Sequence, residues 1–369
     1  MRLYVILSII LCWLFGLINE SGWGFIIKSD EKMNWLILLW SLYLLIIKKR
    51  RFIPTLKNGY IIGVFLLFII IPYFISNKWD GAFYMFSFLT IYCFSNINIS
   101  AKELMFSSFI IGFLGLGLIT VYLRTDILSG WNDNGIAMLA LFSFVFFTTY
   151  FNSLKTKWQR SICWCIALIY ILQIAGTDSR GAILFMSTSL FMVYARKFTL
   201  RYIRNNKTIL FIVHFPLIIA LITAWIASQD WFTAFDSWYQ MEYTKPVFNG
   251  REILWTETLE KIHKYPFGVG EFTINYHNSA MACIGVFGII GYLFWSKFFI
   301  KLLKKLATYF HDSNVYAFTC AFIIIYIQQS TELGFIKTTP NMLPYMILGL
   351  GLGRIRWYQK HNIWKKSVL

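Results

Sequence analysis

The sequence predicts an all-α, polytopic membrane protein with about twelve transmembrane helices and an extracytoplasmic loop containing an amphipathic helix. Three observations predict it. Of 369 residues, 58% are hydrophobic and only 14% are charged, whereas soluble domains carry about 25% charged residues. Mean hydropathy is +0.60. Apolar runs of about 15 to 20 residues recur along the chain, and about 20 residues cross the hydrocarbon core of a bilayer.

The runs lie at Leu3–Asn19, Met33–Ile47, Tyr60–Ser76, Trp79–Ser95, Leu104–Tyr122 and Asn134–Phe151. They continue at Ser161–Gly176, Gly181–Ala195, Thr208–Ala227, Asn278–Ile300, Val315–Ser330 and Asn341–Gly353. Met33–Ile47 and Asn341–Gly353 are short for a span. No small-x-small cleavage site follows Asn19, so the first run reads as a retained helix rather than a signal peptide. Aromatic residues make up 20% of the chain, and Trp and Tyr favour the membrane–water interface. No polar linker divides residues 1–369, which predicts one integral membrane domain with residues 228–277 as its long outer loop.

The net charge of +17 is a topology signal, not a nucleic-acid footprint. With the N-terminus inside, Lys48–Arg51, Lys155–Arg160, Arg196–Lys207, Lys297–Lys305 and Arg354–Lys366 all fall on one face, with only Glu103 and Asp312 as acids there. Lys and Arg concentrate on the cytoplasmic side of membrane proteins and touch anionic lipid. Both termini are therefore expected in the cytoplasm, in a bacterial inner membrane. The six cysteines all fall in apolar runs and read as small buried hydrophobes. Cys163 and Cys165 lack the spacing of a zinc site, and no paired-carboxylate metal site is visible.

Ionisable residues are nearly absent from mid-span positions. His214 is the exception, and a hydrogen bond between helices accounts for it. A proton-coupled transporter would need acids or histidines at the midplane.

Polar chemistry gathers instead on the expected outer face, in three segments. Thr177, Asp178 or Ser179 can cap the helix that begins near Arg180. Arg180 in its first turn reads either as an anion ligand or as an arginine snorkelling to the interface. In the long loop, Trp255, Leu259 and Ile262 make one apolar helix face, predicting an amphipathic helix on the membrane surface. Asn249 with Glu252 has capping-box spacing, and Arg251 sits at that helix's N-terminus. Two such arginines suit a phosphate group. The third segment is a Pro266–Gly270 turn followed by His277 and Asn278. His277 reads as a general base or as an interface residue, and Asn278 as a helix cap. A further polar loop, Trp131–Gly135, and Arg124 share this face.

Taken in order, Ser179-Arg180-Gly181-Ala182, Gly250-Arg251 with Trp255, Pro266-Phe267-Gly268-Val269-Gly270, and His277-Asn278 leading into Gly285–Gly291 resemble the O-antigen ligase and polymerase superfamily of bacterial envelope glycan assembly. The match covers roughly Gly176 to Leu293. The loop with Asn132 and Asn134 is similar to one that the superfamily often has before a span. The resemblance implies a metal-independent membrane glycosyltransferase, without a cofactor. Its donor would be an oligosaccharide on undecaprenyl pyrophosphate, and its acceptor a glycan hydroxyl. Arg180 and Arg251 would hold the pyrophosphate, and His277 would take the acceptor proton. Asp178, Glu252 and Glu271, near in sequence, would orient the arginines or remain solvated.

A polymerase passes the chain to a second lipid-linked repeat unit, and a ligase passes it to lipid A core. Many ligases carry a longer insert than the six residues Glu271–Tyr276, which favours polymerase, with a chain-length regulator as a candidate partner. A lipid-linked glycan flippase is the reading from another class, and it would need a cationic path through the spans.

Overall fold

The computed structural model describes residues 2–20, 32–47, 63, 66–125, 133–151, 154, 156–177, 179–243, 246–270, 276–331, 336 and 341–366. Among the described residues the structure is all-helical, 84% helix, with no strand. The helices are α1 (Leu3–Glu20), α2 (Lys32–Ile47), a π-helical turn (Leu66–Ile70) running into α3 (Ile71–Ser76), α4 (Asp80–Asn96) and α5 (Ala101–Arg124). Then come α6 (Asp133–Phe151), α7 (Lys157–Ala175), α8 (Arg180–Tyr194), α9 (Arg196–Ile203) and α10 (Asn206–Ala227). The last are α11 (Asp230–Tyr243), α12 (Arg251–Lys261), α13 (Ser279–Ala307), α14 (Ser313–Gln328) and α15 (Met342–Lys366).

Where their residues are described, the twelve apolar runs fall on helix except at their ends, as at Trp79, Gly176, Asn278, Ser330 and Asn341. Among the described residues, five helices are long and apolar enough to cross a membrane: α5, α6, α7, α10 and α13. Their burial separates an inner from an outer position. The spanning stretch of α6 is 72% buried within the protein, whereas that of α7 is only 22% buried. α7 instead exposes Ile162, Leu168, Ile169 and Leu172, and α10 exposes Leu210, Phe211, Leu221 and Ile222. Apolar faces this broad mark a surface made for a non-aqueous solvent. The chain is therefore a helical membrane protein by length, composition and the placement of its apolar faces.

Polar ties fasten the inner helices. His214 Nδ1 meets Tyr292 Oη at 2.7 Å, joining α10 to α13 as expected. Trp295 Nε1 donates to Tyr84 Oη at 2.6 Å, and Tyr326 Oη donates to Val213 O at 2.8 Å. Asp312 caps α14 through the amides of Asn314 and Val315. Its other oxygen accepts from Arg354 Nη2 at 2.6 Å and Nε at 2.9 Å. That buried pair lets the last helix run on beyond its apolar stretch. Gly353 does not end it, because Arg354 is only 7% exposed and α15 continues to Lys366.

The long loop also differs from expectation. Its described residues hold two helices, not one. α11 was not predicted; its Trp231, Phe235 and Trp238 recur at i, i+4 and i+7 and are exposed together, an aromatic stripe of the kind that lies at an interface. α12 packs its apolar face against protein, with Trp255 and Thr258 buried, so this face is covered by α10 and α13 rather than by lipid.

Candidate functional site

The connection from α7 to α8 is tightened by Thr177, whose Oγ1 donates to Ile174 O at 2.8 Å. Ser179 stands at the N-cap position of α8, but its side chain makes no capping bond. Asp178 lies outside the described residues, as does Glu271. Arg180, exposed in the first turn of α8, lines a cleft of about 200 Å³ with Asn134, Ser179, Phe185, Gln328 and Thr331. Arg124 is not in this cleft. It ends α5 and lines a neighbouring groove with Gln173 and Gly176.

The capping box expected at Asn249 and Glu252 does not form. Asn249 (φ 55°) and Gly250 (φ 76°) are both left-handed, so Gly250 occupies the N-cap position and no side chain caps α12. A capping residue needs an extended backbone, and Asn249 is left-handed and one residue before the N-cap. Arg251 opens α12, half-buried, and Glu252 follows with its Oε2 buried and unbonded.

One turn beyond, Trp255 Nε1 donates to Tyr276 O at 2.7 Å, and Trp255 is 2% exposed. This bond fixes the peptide immediately before His277. Asn278, 1% exposed, fixes the residue immediately after. Its side-chain oxygen accepts from the amides of Ala280 and Met281, capping α13 as expected. Its Nδ2 donates to Pro216 O at 2.8 Å and Ser330 O at 2.9 Å. Ser279 N donates to Gln329 O at 2.9 Å. Every polar atom of the Asn278 side chain is thus engaged by the fold, which makes it a positioning residue.

His277 is held between these anchors at φ 48°. Its Nδ1 is buried and has no protein partner. Burial first, then the positive charge of Arg251, holds its pKa below the ordinary histidine value. Both causes disfavour the protonated ring. The ring is therefore neutral at neutral pH, with a nitrogen able to accept a proton.

The glycine motifs form a clasp. Gly268 (φ 77°) and Gly270 (φ 66°) shape the turn after α12. Val269 N donates to Gly285 O at 2.8 Å and Gly270 N to Val286 O at 2.9 Å. Those carbonyls lie just before Gly288 (φ 72°, ψ −179°), where α13 is broken by a non-helical residue.

No protein-family model and no curated protein matches the chain. The site is described by its own geometry. Gln328 and Thr331 line the Arg180 cleft, while Gln329 and Ser330 between them hold Asn278 and Ser279. The single turn that ends α14 therefore links the first segment to the third, and the charge of Arg251 links the second to His277. Sequence reasoning missed residues 328–331, although Gln-Gln-Ser-Thr closing an apolar run was a visible signal.

Trp255→Phe removes the buried hydrogen bond to Tyr276 O. A loss of about 1–3 kcal/mol is expected, read as a lower thermal midpoint of the purified protein.

Proposed function

We propose that this protein is a membrane glycosyltransferase that polymerises undecaprenyl-pyrophosphate-linked oligosaccharide repeat units of O-antigen or a related surface polysaccharide. In this reading about twelve helices span the bacterial inner membrane, both termini are cytoplasmic, and the reaction runs on the outer face. The observation that carries it is the buried, unbonded Nδ1 of His277, on a peptide whose neighbours Asn278 and Ser279 are held by the same turn, residues 328–331, that lines the Arg180 cleft.

His277 takes the proton from the acceptor hydroxyl as that oxygen attacks the anomeric carbon of the donor. The bond from that carbon to the pyrophosphate oxygen breaks, and undecaprenyl pyrophosphate leaves with the electron pair. Charge grows on the leaving oxygen, where Arg180 and Arg251 stabilise it; fixed cations act most strongly where charge develops. Burial and then the charge of Arg251 disfavour the protonated His277 ring, so one cation serves both the leaving group and the base.

Arg180→Gln and Arg251→Gln are each expected to lower glycan transfer by about 10²–10³-fold while the protein still inserts. The measurement is a lipopolysaccharide gel of a deletion strain carrying each variant. Core bearing one repeat unit is the polymerase result. Bare core, with polymer stranded on the lipid carrier, would assign the ligase reaction instead. Normal chain-length ladders from both variants would overturn the enzyme reading.

A further inference from the structure

At the opposite end of α8 from Arg180, about 20 Å along the helix axis, lies a second cleft. It has a volume of about 540 Å³ and is formed by the ends of α6, α7 and α8 and the start of α9. That size is within the range of small-molecule sites, about 300–1,000 Å³.

Its lining has two parts. One is cationic: Arg160, Arg196 and Lys197, with no acid among the described residues that line it. The other is aromatic. Phe151 and Trp164 meet edge to face at 5.8 Å, Trp164 and Tyr194 at 5.6 Å, and Phe198 continues the wall. Tyr194 is 76% exposed and Phe198 58%, so these rings face outward as well as into the cleft.

The cations are posed rather than merely present. Arg160 is tied to Leu154 O through Nε at 3.3 Å and Nη2 at 3.2 Å. Arg196 Nη2 donates to Phe310 O at 2.9 Å, its guanidinium lies 5.4 Å from the Tyr316 ring centre, and its Nε is buried with no partner. Lys197 is exposed at the cleft. The carboxylate on the following loop, Asp312, is already bound by Arg354, so it does not neutralise them.

We propose that this cleft binds an anionic phospholipid. Its phosphodiester would lie among Arg160, Arg196 and Lys197, and its acyl chains would lie against the Trp164–Tyr194–Phe198 wall. Charge complementarity identifies the headgroup, and the outward-facing rings identify a ligand with an apolar body. Basic pockets between membrane helices take anionic headgroups for this reason. The site lies away from the groups assigned to glycan transfer and does not depend on that assignment.

The test is native mass spectrometry of the full-length protein in neutral detergent, titrated with phosphatidylglycerol or phosphatidylcholine. Phosphatidylglycerol is expected to be retained in preference. Lys197→Gln should weaken its binding about five-fold, the value for one surface cation, and leave phosphatidylcholine unchanged. Lys197 makes no tie to the fold comparable to that of Arg196, so this variant leaves the helices packed. Lys207→Gln, a charge outside the cleft, should bind as the parent does. Equal retention of the two lipids, or equal effects of the two substitutions, would overturn the site. Displacement of phosphatidylglycerol by millimolar glycerol 3-phosphate would show that a soluble phosphate suffices and would overturn the lipid assignment.

Discussion

Replacing His277 with Asn is expected to abolish polymerisation while leaving the protein folded. The residue stands at φ 48°, a left-handed conformation that Asn and His adopt more readily than other side chains. Asn therefore keeps the backbone between Trp255 and Asn278 but supplies no base. Loss of a general base costs about 10²–10⁴-fold in rate, read as loss of long-chain product from membranes with normal protein content. A thermal midpoint that falls together with activity would show a structural role instead.

The pH profile gives a readout that a structural role would not move. His277 is held below the ordinary value of about 6.5, and the reactive form is the neutral ring. The acid limb of kcat/KM should therefore lie below pH 6.5. Arg251→Gln removes the second cause of the shift and leaves burial, so the limb of the residual activity should move upward yet stay under the ordinary value. The same shift acts on stability. Above pH 6.5 both folded and unfolded states carry a neutral ring, and the full stability is present. As pH falls through the unfolded value toward the folded one, the unfolded chain binds the proton first, and stability is lost.

Much of this architecture was legible because membrane helices must be long and apolar, and that requirement writes itself into runs. It failed where a charge was satisfied by another charge. Arg354 reads as the end of a span, yet Asp312, far away in sequence, lets it stay buried and α15 continue. α11 was missed because its acids and aromatics alternate in a loop-like composition, and only their i, i+4, i+7 spacing betrays the helix. Asn249 failed for a local reason: capping needs an extended backbone at the cap, and here the chain is left-handed. At the site, residue types were legible but proximity was not. Gln329 and Ser330 act through main-chain carbonyls, and no residue type announces that.

Gly288→Ala is expected to be among the most damaging single substitutions in the chain. The residue sits at φ 72° inside α13, where a side chain costs roughly 1–2 kcal/mol in strain alone. A Cβ would also lie 2.0 Å from Pro266 O and 2.6 Å from Gly268 N. Both neighbours are backbone, so neither can swing aside. Relief would require the Pro266–Gly270 turn to withdraw, which breaks the bonds from Val269 and Gly270 to α13. The combined loss should be about 3 kcal/mol or more. Gly117→Ala is the matched control. Gly117 is in regular helix, and an added Cβ there meets nothing within 4 Å; alanine should be neutral or stabilising by up to about 1 kcal/mol. Thermal unfolding of the two purified variants separates the cases, and hydrogen exchange at Val269 and Gly270 locates the damage. Because Asn278 caps α13, loosening the clasp should also loosen the His277 peptide, so transfer activity should fall further than the remaining folded fraction predicts. Equal midpoints for the two variants would mean that the clasp is not a strained contact, and the kink in α13 would need another cause.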